Sequence, residues 1–313
     1  MESTSFGATS TAREVVAGHD LRGRDVVVTG GASGLGIETV RALAVAGARV
    51  VIAGRDRVAA EKVAAEVSAE TGNGSIEFGE LELSSLDSVR AFAAWYTGLG
   101  RPLHLLFNNA GVMLSDQAYT ENGFEWQFGV NHMGHFVLTL DLLPALRAAG
   151  GARVIALSSA AHRHGGIDFE DPNFRRRPYD RLLAYAQAKS ANALFAVGLH
   201  QRHADDGITA NAVHPGIVLT GLQRHITREE KLQFGLIDQN GTPNPNFKSA
   251  EQGAATSLWA ATAAELDGVG GRYLEDCGIG SPAREGAPGG YEPRILDPEQ
   301  AERLWKLSTE LAG

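Results

Sequence analysis

The feature that most constrains this chain is a glycine-rich turn, Thr29-Gly30-Gly31-Ala32-Ser33-Gly34-Leu35-Gly36, set between a β-branched run and a stretch of helical period. A strand that feeds such a turn into a helix is half of a βαβ unit, and units of this kind build parallel sheets covered on both faces. The pattern then repeats. Candidate strands are Val26–Thr29, Arg49–Ala53, Ser75–Leu81, Leu103–Phe107, Arg153–Leu157, Thr209–Val213 and Arg272–Leu274. Between them lie helical stretches near Leu35–Ala46, Arg57–Glu70, Ser85–Tyr96, Gly123–Asn131, His132–Ala148, Arg181–His203 and Ser249–Ala263. This alternation predicts an α/β fold with one doubly wound, parallel, seven-stranded sheet.

A chain of 313 residues is long enough to bury one large core. No internal repeat and no linker before Gly278 divides it, so a single domain over 21–313 is expected. Residues 1–20 mix small and charged residues without an apolar run and read as a flexible leader. The Gly- and Pro-rich segment Gly278–Arg294 reads as an irregular surface loop. Asp297 and Pro298 then start a last helix, as N-cap and first-turn residue, with Leu304, Leu307 and Leu311 as its apolar stripe.

The net charge of −9, with no basic run longer than Arg175-Arg176-Arg177, argues against nucleic acid and anionic membrane as partners. Cys277 is the only cysteine, which excludes an internal disulfide and suits a reducing compartment. No segment approaches the roughly 18 apolar residues of a membrane span. The expectation is a soluble cytoplasmic protein with a small-molecule pocket.

At the glycine turn, backbone N–H groups and the positive end of the following helix can meet a pyrophosphate. The spacing is Gly30-xxx-Gly34-x-Gly36, not the G-x-G-x-x-G of the usual Rossmann fingerprint. Some 20 residues on, where an acidic side chain would take the ribose 2′-hydroxyl of NAD, stand Gly54 and Arg55. A guanidinium binds phosphate through charge-assisted, often bidentate bonds, so Arg55, with Arg57 as a second cation, points to NADP(H) in preference to NAD(H).

Tyr185 and Lys189 stand four apart in a helical segment and so share one face. A free phenol titrates near pKa 10, and an ammonium about 5 Å away would lower that value by on the order of two units. Tyr-x-x-x-Lys alone is a weak signal. It gains weight because Asn108-Asn109-Ala110-Gly111, Ser158-Ser159 and His214-Pro215-Gly216 follow the carboxyl ends of three strands, where open α/β sheets bind ligands, and Asn131 lies in a nearby helix.

With these motifs in order, the chain resembles the short-chain dehydrogenase/reductase family over Leu21–Cys277. The resemblance implies that Gly30, Ser33, Gly34, Leu35 and Gly36 hold the pyrophosphate. It places Leu83 and Glu82 beside adenine, and Asn108, Asn109, Ala110 and Gly111 beside the adenosine ribose and central sheet. Asn131, Ser159, Tyr185 and Lys189 become the catalytic tetrad: Ser159 orients the substrate oxygen, Tyr185 is acid or base, and Lys189 also binds the nicotinamide ribose. Asn131 holds a proton-relaying water, and Pro215, Gly216, Val218 and Thr220 contact the nicotinamide end.

Ser159 and Tyr185 are 26 positions apart, about twice the usual family spacing. The extra segment, with Gly271–Cys277, is similar to retinol-dehydrogenase-like and WW-domain-oxidoreductase-like members of bacterial type. Relatives commonly form homodimers or homotetramers through the helices that carry Asn131 and Tyr185. The stretch Leu222–Ile237 is apolar and falls in the region that covers substrate in the family, so a lid over 217–248 and a hydrophobic ketone, aldehyde or alcohol are expected. His132, His135, His162 and His164 lack the Cys or carboxylate partners of a metal site, so no metal is expected. The competing reading is an idle dinucleotide-binding redox sensor; a full set of four catalytic residues speaks against it.

Overall fold

The computed structural model describes residues 6–245, 247–285 and 289–313, without the side chain of residue 225. Its sheet has eight strands: β1 (Asp25–Thr29), β2 (Arg49–Gly54), β3 (Ile76–Glu80), β4 (Leu105–Asn108), β5 (Ala152–Leu157), β6 (Ile208–His214), β7 (Tyr273–Glu275) and β8 (Gly278–Ile279). The spatial order is β3-β2-β1-β4-β5-β6-β7-β8. The first seven strands run parallel and β8 is antiparallel to β7. The seven expected strands are all present, and the eighth corrects the reading of 278–294 as wholly irregular. It arises from a tight turn at Asp276 and Cys277, both at positive φ, with Cys277 where sequence reasoning looks for Gly.

The order reverses direction between β1 and β4, the kind of switch point at which open parallel sheets form a crevice. Alternate strand residues feed two cores: Val26 and Val28 pack on one face with Val40, Leu43 and Leu258, and Val27 on the other with Phe92, Leu106 and Phe136. The first layer is α1 (Ala12–Val16), α2 (Leu35–Val45), α3 (Arg57–Thr71) and α10 (Ala250–Thr262). The second includes α4 (Leu86–Gly98), α6 (Gly134–Asp141), α8 (Arg181–His203) and α11 (Pro298–Ala312). Asp56, Asp180 and Asp297 cap α3, α8 and α11 with their side chains.

Two expectations change here. Residues 1–5 of the leader lie outside the described residues, but the remainder is not loose: Thr11 and Glu14 form a capping box for α1, and Val15 and Val16 are buried. The helix expected over 123–131 shrinks to α5 (Trp126–Phe128), which continues through a π-helical turn, Gly129–Met133, into α6; a short α7 (Leu143–Ala148) follows. Every residue of α8 from Ala184 to Leu199 is buried, and so is 129–139, with Trp305 of α11 stacked on Phe195.

Candidate active site

One cavity of about 1260 Å³ runs along the carboxyl ends of β1, β2, β4, β5 and β6. Gly30, Ser33, Gly34 and Leu35 line one part of it. Gly30 and Gly34 have φ of +66° and +52°, conformations that L side chains rarely adopt. Gly36 is not in the wall. It begins the second residue of α2, where an added Cβ would fall 2.2 Å from the Gly30 carbonyl oxygen, so its role is to let the helix press against the turn. Thr29 closes the turn from below: its hydroxyl accepts from the Asn109 and Ala110 N–H groups, both at 2.9 Å. Asn109, Ala110 and Gly111 reach the cavity, whereas Asn108 is buried and donates to Thr139 at 3.0 Å.

Arg55 and Leu83 line the wall at the ends of β2 and β3. Arg55 is 67% exposed and paired with Glu82 at 3.1 Å. Arg57 lies over the Phe78 ring and beside Glu61, and does not line the cavity. Pro215, Gly216, Val218 and Thr220 enter from the loop after β6, with Thr220 3.5 Å from the position a Gly34 Cβ would take. The glycines held at positive φ and the exposed cation along this part of the cavity fit a dinucleotide in shape and in charge.

The two serines after β5 have separate tasks. Ser158 is buried and donates to the Lys189 carbonyl at 2.8 Å, which pins α8 to the sheet. Ser159 caps the 3-10 turn Ala160–His164, accepts from the Ala161 N–H at 3.1 Å and lines the cavity together with Tyr185. Lys189 donates to the Leu157 carbonyl at 3.0 Å, and its Nζ stands 5.6 Å from the Tyr185 ring centre.

Burial pushes the Tyr185 phenol up to about 12, and the Ser159 hydroxyl is what draws it back. The expectation that Lys189 would lower it is thus corrected. Lys189 is buried too, which brings its own pKa down to about 8.

Asn131 does not line the cavity. It clamps Val112, with Oδ1 accepting from the Val112 N–H at 2.8 Å and Nδ2 donating to the Val112 carbonyl at 2.9 Å. Its carbonyl, in the π-helical turn, is bonded to His135 Nδ1 at 2.9 Å. A carbonyl can only accept, so Nδ1 carries the proton, and Nε2 accepts a hydrogen bond from the Thr29 hydroxyl at 2.9 Å. Burial, with the nearby Lys189 charge, brings His135 down to about 4 and keeps it neutral. Sequence reasoning weighed His132 and His135 only as metal ligands. Instead His132 meets Ser308 of α11 at 2.8 Å, and among the described residues no group of three or more His, Cys, Asp or Glu could hold a metal ion.

The remaining wall is largely apolar. Residues 217–248 form a 3-10 turn (Gly221–His225) and α9 (Arg228–Gln233), closed by a bridge from Val218 to Lys248. Ile226 and Leu236 from this segment pack with Tyr185, Leu114, Met113 and Leu182. Met113, Leu114, Leu182, His164 and Glu292 line the cavity but carry no sequence signal; Glu292 comes from the Gly- and Pro-rich loop, which the sequence left at the surface. Leu114 sits at φ +51° with its N–H bonded to Gln127, a conformation no sequence motif announces.

A family profile described as short chain dehydrogenase matches residues 24–231. The chain is 48% identical over 296 residues to a probable oxidoreductase of Streptomyces antibioticus, covering 93% of this chain and 98% of that protein. It is 43% identical over 296 residues to retinol dehydrogenase 12 of Mus musculus, covering 94% and 87% respectively. Among solved structures, the Pseudomonas aeruginosa RhlG/NADP active-site complex superposes with a TM-score of 0.63 at 27% identity, over 82% of this chain and 95% of that one.

Proposed function

This chain belongs to the short-chain dehydrogenase/reductase family and is an oxidoreductase of alcohols and carbonyl compounds; on that premise we propose that it uses NADP(H) to interconvert a hydrophobic ketone or aldehyde and its alcohol, with Tyr185 as general acid and base. The observation that carries this reading is that Ser159, Tyr185 and Lys189 line the same cavity as the glycine turn and Arg55. A bound nicotinamide supplies the hydride in reduction and takes it in oxidation.

The residues of this chain divide the rest of the work. Gly30, Ser33, Gly34 and Leu35 hold the pyrophosphate, Arg55 the 2′-phosphate and Leu83 the adenine side. Asn109, Ala110 and Gly111 flank the ribose, and Pro215, Gly216, Val218 and Thr220 the nicotinamide end. Ser159 orients the substrate oxygen, and the Tyr185 phenol gives it a proton. With its pKa near 12, Tyr185 is protonated at neutral pH and ready to donate, whereas alcohol oxidation needs the phenolate and should quicken as pH rises. Lys189 binds the nicotinamide ribose, and Asn131 holds the Val112 turn against it. Segment 217–248 is the lid, and its Ile226 and Leu236 favour an apolar substrate. Residues 21–313 act as one domain. The NADP complex of the Pseudomonas aeruginosa protein supports the choice of cofactor.

Tyr185→Phe tests the assignment. NADPH oxidation followed at 340 nm against a panel of steroid, retinoid, aromatic and polyketide-like ketones should fall by about 10² or more while NADPH binding is retained. Turnover near wild type in that variant would end the mechanism.

A further inference from the structure

Arg55 is not a free cation. It follows β2, Glu82 follows β3, and these two strands are neighbours, tied at their ends by the Leu81 N–H donating to the Gly54 carbonyl at 2.8 Å. The Arg55 guanidinium meets Glu82 Oε2 at 3.1 Å, and Glu82 Oε1 accepts from the Ser84 N–H, also at 3.1 Å. Burial raises the Glu82 carboxyl, but the Ser84 N–H and Arg55 outweigh it, so the group lies below its ordinary value and is charged at neutral pH. Both residues line the cavity. Its other guanidiniums, Arg163 and Arg224, come from the turn after Ser159 and from segment 217–248.

A single carboxylate at this place treats the two dinucleotides in opposite ways. A 2′-phosphate needs the guanidinium that Glu82 already holds, and it brings a second anion beside the carboxylate. A ribose 2′-hydroxyl is neutral and can donate to a carboxylate oxygen.

We propose that Glu82 is a residue that sets dinucleotide preference: it competes with the 2′-phosphate for Arg55, so that the chain binds NADPH less tightly than Arg55 alone would permit and retains NADH as a usable ligand. The inference rests on the reading of Arg55 as the phosphate-binding cation. Glu82 acts through charge, and Glu82→Gln removes the charge while keeping an oxygen for the Ser84 N–H.

The test is calorimetric titration of the full chain with NADPH and with NADH, which needs no substrate. Two charges about 5 Å apart in a water-like medium interact by close to a factor of four, more for a dianion and less in salt. Glu82→Gln should therefore tighten NADPH by roughly fivefold and leave NADH within twofold, with the gain shrinking as salt is added. NADPH binding that does not tighten overturns the proposal. So does an equal loss for both ligands, which would make Glu82 a packing group on the adenosine side. Glu82→Ala, checked for folding by circular dichroism, is the second variant should the glutamine protein not fold, with the same outcomes.

Arg55→Ala separates the two readings. Selective loss of NADPH supports the phosphate-binding role, and equal loss of both dinucleotides removes that role whatever Glu82 does. In the Arg55→Ala background the gain from Glu82→Gln should diminish. An undiminished gain overturns the competition.

Discussion

At the glycine-turn end of the cavity the wall is mostly backbone, fixed by strand ends and by what glycine lacks: φ of +66° at Gly30, and no Cβ at Gly36 to meet the Gly30 carbonyl. At the other end the wall is side chains, from the turn Ala160–His164, from Leu182 and from residues 217–236, and the segment 165–180 that joins the first two is held by individual polar bonds outside the cavity. Asp171 alone accepts the N–H groups of Arg175, Arg176 and Arg177, while Gln187 of α8 reaches Asp168 and Pro172. The difference teaches that the first end tolerates almost no change because its atoms are already in contact. The second end can change residue by residue and alter which substrate fits.

The harshest way to break that contrast is Gly36→Ala. Alanine is the better helix former by about 1 kcal/mol, so an open site would gain from it. Here the new Cβ lies 2.2 Å from Gly30 O and 2.8 Å from Gly31 Cα, both backbone atoms that cannot swing aside. Overpacking of this kind costs about 1–3 kcal/mol and displaces the turn. The variant should lose roughly 100-fold or more in NADPH affinity by titration, with a lower melting temperature. Wild-type affinity would show that the turn has slack and would collapse the contrast.

The same contrast explains what the sequence could tell. A glycine turn after a β-branched run is a local signal, because the steric requirement acts within a few residues; the seven parallel strands and the placing of Gly30, Arg55, Ser159, Tyr185 and Lys189 in one cavity follow from strand ends meeting at one edge. The strand Gly278–Ile279 was hidden because it is two residues long and because Cys277 holds a positive φ at the turn position where Gly is the usual signal. Helix α1 was hidden because five residues are too few to show a period, although the Thr11–Glu14 capping box was there to read. The pKa of Tyr185 was misjudged because spacing along a helix gives distance to Lys189 but not burial, and burial decides it. His135 bridging Thr29 to the Asn131 carbonyl joins residues far apart in sequence, with no motif linking them.

A substitution at the other end sharpens the comparison. Ile226 is 6% exposed and packs with Tyr185 and Leu114. Ile226→Ala removes apolar area worth about 2 kcal/mol if substrate covers it as fully as protein does. For an apolar ketone that the enzyme turns over, KM should rise by about tenfold, while the dissociation constant of NADPH stays within twofold. An equal weakening of NADPH would mean that the two ends are not separable.

The smallest expected effect lies furthest from the chemistry, in Asp171→Asn. Asp171 is 7% exposed; burial raises its carboxyl, but the N–H groups of Arg176, Arg175 and Arg177 outweigh that and leave it below its ordinary value. A carboxyl held below its unfolded value stabilises the protein above that value, and the contribution is lost as pH falls through the lower folded-state one. At neutral pH the variant, which keeps one acceptor oxygen and turns an N–H donor toward a nest of N–H groups, should lose about 1–2 kcal/mol. The loss should be felt as faster amide exchange at 171–177, and the gap between the two proteins should close as the wild type is acidified below the ordinary aspartate range. The dissociation constant of NADPH should not move, since neither Asp171 nor the three arginines line the cavity. Unchanged exchange at 171–177 would show that the extra segment is held by its apolar contacts and not by this carboxylate. A shift in NADPH binding would show instead that the side-chain-built end bears on the glycine turn, which the cavity walls give no reason to expect.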